Sequence, residues 1–172
     1  MSPTRSACPA DDYRGDTADL TSMSLVELLE LRTAINGEIQ GRGHSRTATS
    51  LEGELMERVV ANAYGGALAP LRNKSVDVIL ADGRTLQVKT RSLPRGETRL
   101  WQFDDSDFDL CVVILMDRET SQIDFAHELS LAETKEHSVV HAGGGFRLRM
   151  GKARGLGLDV TPKLHDAYAK LR

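Results

Sequence analysis

The chain has 172 residues, of which 40% are hydrophobic and 27% are charged, and its formal net charge is -3. This length and composition are typical of one globular domain with a sizeable core, and they give no global positive field that would attract nucleic acid. Cys8 and Cys111 are too few for a disulfide framework. The sequence begins with no apolar leader and contains no apolar run of transmembrane length, so we expect a cytoplasmic protein without a membrane partner.

The first residues are rich in Ser, Thr, Asp, Pro and Arg and show no periodicity. This composition predicts a disordered N-terminal arm over residues 1–22, followed by a single domain over residues 23–172. Ser24 and Glu27 form the pattern of a capping box, which predicts a helix that runs to about Gln40. Its apolar face would carry Leu25, Leu28, Leu29, Arg32, Ile35 and Ile39.

The segment GRGHSRTATS separates this helix from the next one and contains three potential cations, Arg42, His44 and Arg46. Its composition suits a solvated connector, and it also suits a loop that contacts phosphate. We favour the connector.

A second capping-box pattern, Thr49 with Glu52, predicts a helix from about Leu51 to Tyr64 that ends at two glycines. Glu57 lies at the edge of its apolar stripe, where a glutamate is usually solvated. The stripe consists of Leu55, Met56, Val59, Val60 and Ala63.

Two short apolar strands within residues 75–91 meet at Asp82-Gly83, which is a strong hairpin signal. A two-residue loop would mix polar and apolar side chains on both faces. A three-residue loop, Ala81-Asp82-Gly83 with Gly83 left-handed, separates them, so we predict that register. One face then carries Val76, Val78, Leu80, Leu86 and Val88. The other face carries the polar residues Asp77, Gln87 and Lys89, with Ile79 and Thr85.

The polar face of this hairpin has the groups of a metal site. Carboxylate, amide and main-chain oxygens bind hard divalent cations, and a lysine beside the metal can orient a water and offset charge on a phosphate. The same pattern also suits a surface hairpin with a solvated polar face.

The densest basic stretch of the chain follows this hairpin. It contains Arg91, Arg95 and Arg99, and Trp101 comes directly after it. Basic residues with an aromatic neighbour predict contact with a nucleic-acid backbone, although the composition also suits an exposed loop. The acidic segment DDSDFD, residues 104–109, is predicted to be a turn; the other interpretation is that Asp107 and Asp109 assist a metal.

The C-terminal half supplies the rest of the predicted sheet. Residues Asp109 to Met116, DLCVVILM, predict a strand buried on both faces at the centre of the sheet, with Cys111 as a core thiol. We also predict a strand over 122–126, a helix over 128–136, an edge strand over 146–150 and a last helix from Thr161. The edge strand would expose Arg147 and Arg149 as a second basic patch, extended by Lys152 and Arg154. Together these elements predict an α/β fold, a central mixed β-sheet flanked by α-helices.

The spacing of Asp77, Gln87 and Lys89, Asp-x9-Gln-x-Lys, resembles the core of the PD-(D/E)XK nuclease superfamily, whose usual form ends in an acid, any residue and then lysine. Here Val76 stands where the superfamily often has proline, and Gln87 replaces the second acid. Residues 24–165 are also similar to a bacterial family of small proteins assigned to this superfamily. The similar stretches are GELMERVVANAYGG, RNKSVDV, DGRTLQVKTR and SDFDLCVVILMD.

The resemblance implies a restriction-endonuclease-like core and a metal-dependent endonuclease that hydrolyses DNA phosphodiester bonds, such as a restriction-type enzyme. Asp77 would be the principal ligand of Mg²⁺ or Mn²⁺, and Gln87, the main-chain carbonyl of Val88 and Glu57 would assist. Lys89 would position the attacking water. A homodimer would suit cleavage of two antiparallel strands. The alternative is a catalytically inactive module of the same fold that binds nucleic acid or a partner protein.

Overall fold

A computed structural model describes residues 19–47, 51–71 and 73–171. Most of the predicted N-terminal arm, Cys8 and Thr49 lie outside these ranges. The helices are α1 (Leu25–Gly41), α2 (Leu51–Tyr64), α3 (Leu131–Glu136), α4 (Met150–Ala153) and α5 (Thr161–Ala169). The strands are β1 (Ala67–Leu68), β2 (Val78–Ile79), β3 (Thr85–Leu93), β4 (Leu100–Phe103), β5 (Leu110–Asp117), β6 (Ile123–Ser130), β7 (Val139–Val140), β8 (Phe146–Arg149) and β9 (Leu158–Asp159).

The larger of two sheets has the strand order β1-β2-β3-β5-β6-β9. β3 and β5 pair in parallel, and the other neighbouring strands pair antiparallel, so the sheet is mixed. All six central residues of β5 are buried, because strands and covering layers surround it on every side. The predicted α/β class with a central mixed sheet is therefore confirmed.

The two faces of the larger sheet are covered by different elements. α2 and α5 pack on one face, where Met56 and Leu164 join Val88 of β3 in one hydrophobic core. A second sheet, of strand order β4-β8-β7, covers the other face and contributes Trp101 and Leu148 to a second core. α2 and α5 thus cover one face of the larger sheet, and the second sheet, which was not predicted from the sequence, covers the other together with α3 and α4.

Two predictions in the C-terminal half are corrected by strand pairing. The helix predicted from residue 128 begins at Leu131, because β6 continues along β5 to the Leu110–Ser130 pair. Ser130 then forms a capping box with Glu133. β8, predicted as an edge strand, is the middle strand of the second sheet, since β4 and β7 pair with its two sides.

Helix α1 has the predicted start, a capping box formed by Ser24 and Glu27. Its apolar face does not form the core, however, because no residue of α1 is buried and Leu25 is 72% exposed. The predicted stripe of α2 is mostly confirmed, with Met56, Val59 and Val60 fully buried.

Within residues 19–47, 51–71 and 73–171, no helix is long and apolar enough to cross a membrane.

Candidate functional site

The predicted register of the β2–β3 hairpin is confirmed. Val78 pairs with Leu86, the Leu80 N–H donates to the Arg84 carbonyl at 2.9 Å, and Gly83 is left-handed with a φ of 87°. The loop is therefore the three-residue form. Val78 and Leu86 enter the core beneath α2, and Gln87 lies beside Cys111 of β5.

Asp77 lies one residue before β2 and bonds to the main chain of β3. Its N–H donates to the Leu86 carbonyl at 2.9 Å, and its Oδ2 accepts the Val88 N–H at 2.7 Å. The N–H and C=O of one strand residue point to the same edge of the strand. The Val88 carbonyl therefore points to the strand edge at which the Asp77 carboxylate lies.

Glu57 of α2 lies close enough to Asp77 for their charges to interact, and its side chain is only 18% exposed. The interpretation of Glu57 as a solvated residue is therefore wrong. The pKa of Glu57 is raised to about 7: burial is the largest cause, the charge of Asp77 adds to it, and the Arg46 guanidinium opposes both. Burial also raises the pKa of Asp77, against the Val88 hydrogen bond and the charges of Lys89 and Arg46. Asp77, Glu57 and the two cations thus form one interacting group.

Lys89 and Gln87 lie on the face of β3 that is covered by the second sheet. The Lys89 Nζ is 5.7 Å from the centroid of the buried Phe103 ring, within the range of a cation–π contact. Gln87 is 4% exposed, and its Oε1 has no hydrogen-bond partner. A buried acceptor without a partner destabilises the fold, so this atom is suited to a cation or a donor that binds there.

The predicted ligand set consists entirely of oxygens, which suits Mg²⁺ or Mn²⁺. Asp77 and Glu57 supply its two carboxylates, and Gln87 and the Val88 carbonyl supply neutral oxygens. Over residues 19–47, 51–71 and 73–171, no three His, Cys, Asp or Glu side chains are grouped as they would be around a metal ion. A cation here would therefore depend on the two neutral oxygens.

Arg46 is a member of the site that the sequence did not identify. It lies in the segment that was predicted to be a solvated connector. Its Nη2 is 2.7 Å from Oε2 of Glu57, and its Nη1 donates to the Ala69 carbonyl at 2.8 Å. Arg46 is one of three potential cations in this loop, and nothing in the sequence distinguishes the one that contacts Glu57.

Three of the predicted nucleic-acid contacts line one open groove of 880 Å³, together with Arg118, which was not predicted from the sequence. We call it the arginine groove, defined by Arg91, Arg99, Arg118 and Arg147. Its floor includes residues 90–93 of β3, which directly follow Lys89, and the first turn of α2 borders it. Glu52 and Glu97 also line the groove, and Glu97 pairs with Arg99 at 3.0 Å.

The other predicted contacts lie elsewhere. Arg95 lies in the loop between β3 and β4, beside a smaller cavity, and Arg149 lies on β8 outside the groove. Arg91 is part of β3, so the basic stretch is only partly a loop. Trp101 is 1% exposed and packs edge-on against Phe125, so its predicted role in nucleic-acid binding is wrong.

The alternative metal role of the acidic segment has no support from its contacts. Oδ2 of Asp109 accepts the Thr85 N–H at 2.8 Å and the Thr85 hydroxyl at 2.9 Å. These bonds join the start of β3 to the residue before β5.

No protein-family model matches the sequence, and a search of curated proteins gives no significant match.

We predict that Glu57→Gln and Glu54→Gln change stability in opposite directions in metal-free buffer. The pKa of Glu57 is higher in the folded protein than in the unfolded chain. The free energy of unfolding therefore falls as pH rises from the pKa of the unfolded glutamate to about 7, and it stays lower at higher pH. Glu57→Gln should therefore stabilise the protein at pH 8, on the order of 2 kcal/mol, and should have little effect at pH 4.

Glu54 is the matched control, one helical turn earlier. Its carboxylate accepts bonds from residues 45–47, which lower its pKa, so its contribution is present at neutral pH and lost on acidification. Glu54→Gln should destabilise by about 1 kcal/mol at pH 7. Urea unfolding at several pH values measures both effects; destabilisation by Glu57→Gln at pH 8 would contradict the assignment of a buried, repelled carboxylate.

Proposed function

We propose that the protein is a metal-dependent endonuclease with a restriction-endonuclease-like core that hydrolyses DNA phosphodiester bonds. The observation that carries this proposal is the pairing of two largely buried carboxylates, Asp77 and Glu57, beside Lys89 and next to the arginine groove. Ionisable groups with perturbed pKa values at a cleft are a frequent mark of an active site. The resemblance to PD-(D/E)XK nucleases gives these residues their roles.

Asp77, Glu57, Gln87 and the Val88 carbonyl would hold the divalent cation. When bound, such a cation polarises a phosphate and makes a water more acidic. The Lys89 ammonium would donate a hydrogen bond to the attacking water and stabilise the negative charge that develops on the phosphate. The Val88 N–H keeps Asp77 at the strand edge, so the carboxylate is positioned before substrate binds.

The arginine groove would bind the phosphates on one side of the scissile bond. Arg91 and Arg99 line the groove, and a guanidinium can bind a phosphate with two hydrogen bonds. Because residues 90–93 follow Lys89 along β3, a strand bound in the groove would reach the candidate active site.

A second candidate function is the inactive module that binds nucleic acid or a partner protein. The observation in its favour is Gln87, which leaves two carboxylates in the ligand set instead of three. Such a module would bind DNA through the arginine groove without cleaving it.

We predict that the purified protein nicks supercoiled plasmid with Mg²⁺ or Mn²⁺ and that EDTA stops the reaction. Lys89→Ala and Asp77→Asn should each lower the rate roughly a hundredfold or more, because both remove charge stabilisation from the reacting centre. Lys170→Ala, at the exposed end of α5, is the control and should be fully active. Full activity of a folded Lys89→Ala protein contradicts the mechanism; a wild-type protein that binds DNA but never nicks it supports the inactive module.

We also predict that Gln87→Glu tightens metal binding and retains or raises cleavage. The change adds an anion at nearly equal volume where the amide oxygen now has no partner. A buried carboxylate destabilises the metal-free protein, so the variant should unfold at lower temperature in EDTA and regain stability in Mg²⁺.

Gln122→Glu, at an exposed position, is the control for Gln87→Glu and should show no such dependence on metal. Thermal unfolding with and without Mg²⁺ distinguishes the two variants. An inactive module would give a Gln87→Glu protein that is destabilised equally with and without metal.

The arginine groove predicts which cations set the salt dependence of DNA binding. The double variant Arg91→Ala/Arg99→Ala should reduce the slope of log K against log salt by about 2, since each phosphate contact contributes about 0.9. Arg95→Ala/Arg149→Ala removes the same charge outside the groove and should leave the slope unchanged. Titrations of a labelled duplex at several salt concentrations measure both slopes; a change in the second double variant alone would place the DNA elsewhere.

A further inference from the structure

The carboxylate of Glu57 already has a cationic partner, the guanidinium of Arg46. One arm of the guanidinium is 2.7 Å from Oε2 of Glu57, and the other donates to the Ala69 carbonyl at 2.8 Å. The two side chains are 25% and 18% exposed, so this ion pair is better shielded than one at the surface.

The segment that carries Arg46 is held in place by a second glutamate of α2. Glu54 accepts the Ser45 hydroxyl at 3.2 Å and the Thr47 N–H at 2.9 Å, and it also accepts the Arg46 N–H. Glu54 therefore fixes the main chain around Arg46, and Glu57, one turn later, accepts its charge. Arg46 is held at both its main chain and its guanidinium.

The positive charge of Arg46 acts on both carboxylates of the candidate site. It lowers the pKa of Glu57 and also that of Asp77, against the raising effect of burial. A divalent cation held by the same two carboxylates would repel the guanidinium at short range, and the repulsion is strong where water is scarce. Glu57 cannot present the same oxygen fully to both cations.

We propose that Arg46 is the counter-cation of the metal-free site and that a divalent cation binds by displacing Arg46 from Glu57. This inference rests on the proposed metal site of the endonuclease. Arg46 is then a positioning residue that sets the affinity for metal, because the Arg46–Glu57 contact must open before Glu57 becomes a ligand.

Calorimetric titration of Mn²⁺ into the EDTA-treated protein, without DNA, tests the competition. Arg46→Met keeps the aliphatic volume and removes the charge, so it should bind Mn²⁺ about tenfold more tightly, or more, because a charge-assisted bond no longer has to break. Arg46→Lys keeps the charge and should bind Mn²⁺ with nearly the wild-type affinity.

Arg42→Met is the matched control, since it removes an arginine that pairs with Glu38 at 2.8 Å in the same part of the chain. Its affinity for Mn²⁺ should equal that of the wild type. Thermal unfolding of each variant checks that the fold is intact before the titrations are compared.

The outcomes separate this inference from the proposed function. If Asp77→Asn weakens Mn²⁺ binding but Arg46→Met binds as the wild type does or more weakly, Arg46 does not compete, and only the inference is overturned. If neither the wild type nor Arg46→Met binds Mn²⁺, the metal site is absent, and the proposed function is overturned together with the inference.

Discussion

The register of β3 is the constraint on which the candidate site depends. β3 pairs with β5 along most of its length and with β2 at only two described positions. Alternation along the strand sends Leu86 and Val88 into the core beneath α2, and it sends Gln87 and Lys89 to the face covered by the second sheet. A slip of one residue would place the Lys89 ammonium in the hydrophobic core, which would cost several kcal/mol. The apolar residues of β3 therefore fix the positions of its polar ones.

The charges around β3 balance one another. Asp77 and Glu57 are largely removed from water, and burial alone would favour their neutral forms. Arg46 and Lys89 bring two positive charges from a loop and from the strand itself. A hairpin with a solvated polar face would need no such balance, and the burial of Gln87 and Glu57 excludes that interpretation of the pattern.

Local patterns in the sequence predicted the elements that carry most of the site. The Asp-Gly turn and the alternation beside it gave the hairpin register, and the capping pattern at Ser24 gave the start of α1. These signals work because the interactions behind them join residues close in the chain. The length of the apolar run in β5 likewise identified the most buried strand.

Contacts between distant segments had no such signal. Arg46 contacts Glu57 because Glu54 holds the loop before α2 against that helix. No periodic pattern in the sequence predicts this contact. Trp101 looked like part of a basic surface, yet β4 turns it into the second core, because β8 pairs beside it. The prediction for α1 failed in the opposite way, because its apolar residues were expected to be buried and are not. A helical stripe shows that burial is favourable but not that a surface is available to cover it.

The same geometry explains how a chain of net charge -3 can present a cationic groove. In the sequence, Arg91, Arg95 and Arg99 look equivalent. In the structure, β3 continues through Leu93 and β4 begins at Leu100, so Arg91 lies on a strand and the other two lie in the connecting loop. Arg91 and Arg99 line the groove, whereas Arg95 lies beside a smaller cavity. Arg118, which directly follows β5, and Arg147 of β8 also line the groove. Because charges separated by more than about 10 Å are screened at ordinary salt, the local set of four arginines, opposed by Glu52 and Glu97, governs what the groove attracts, and the net charge of the chain has little influence there.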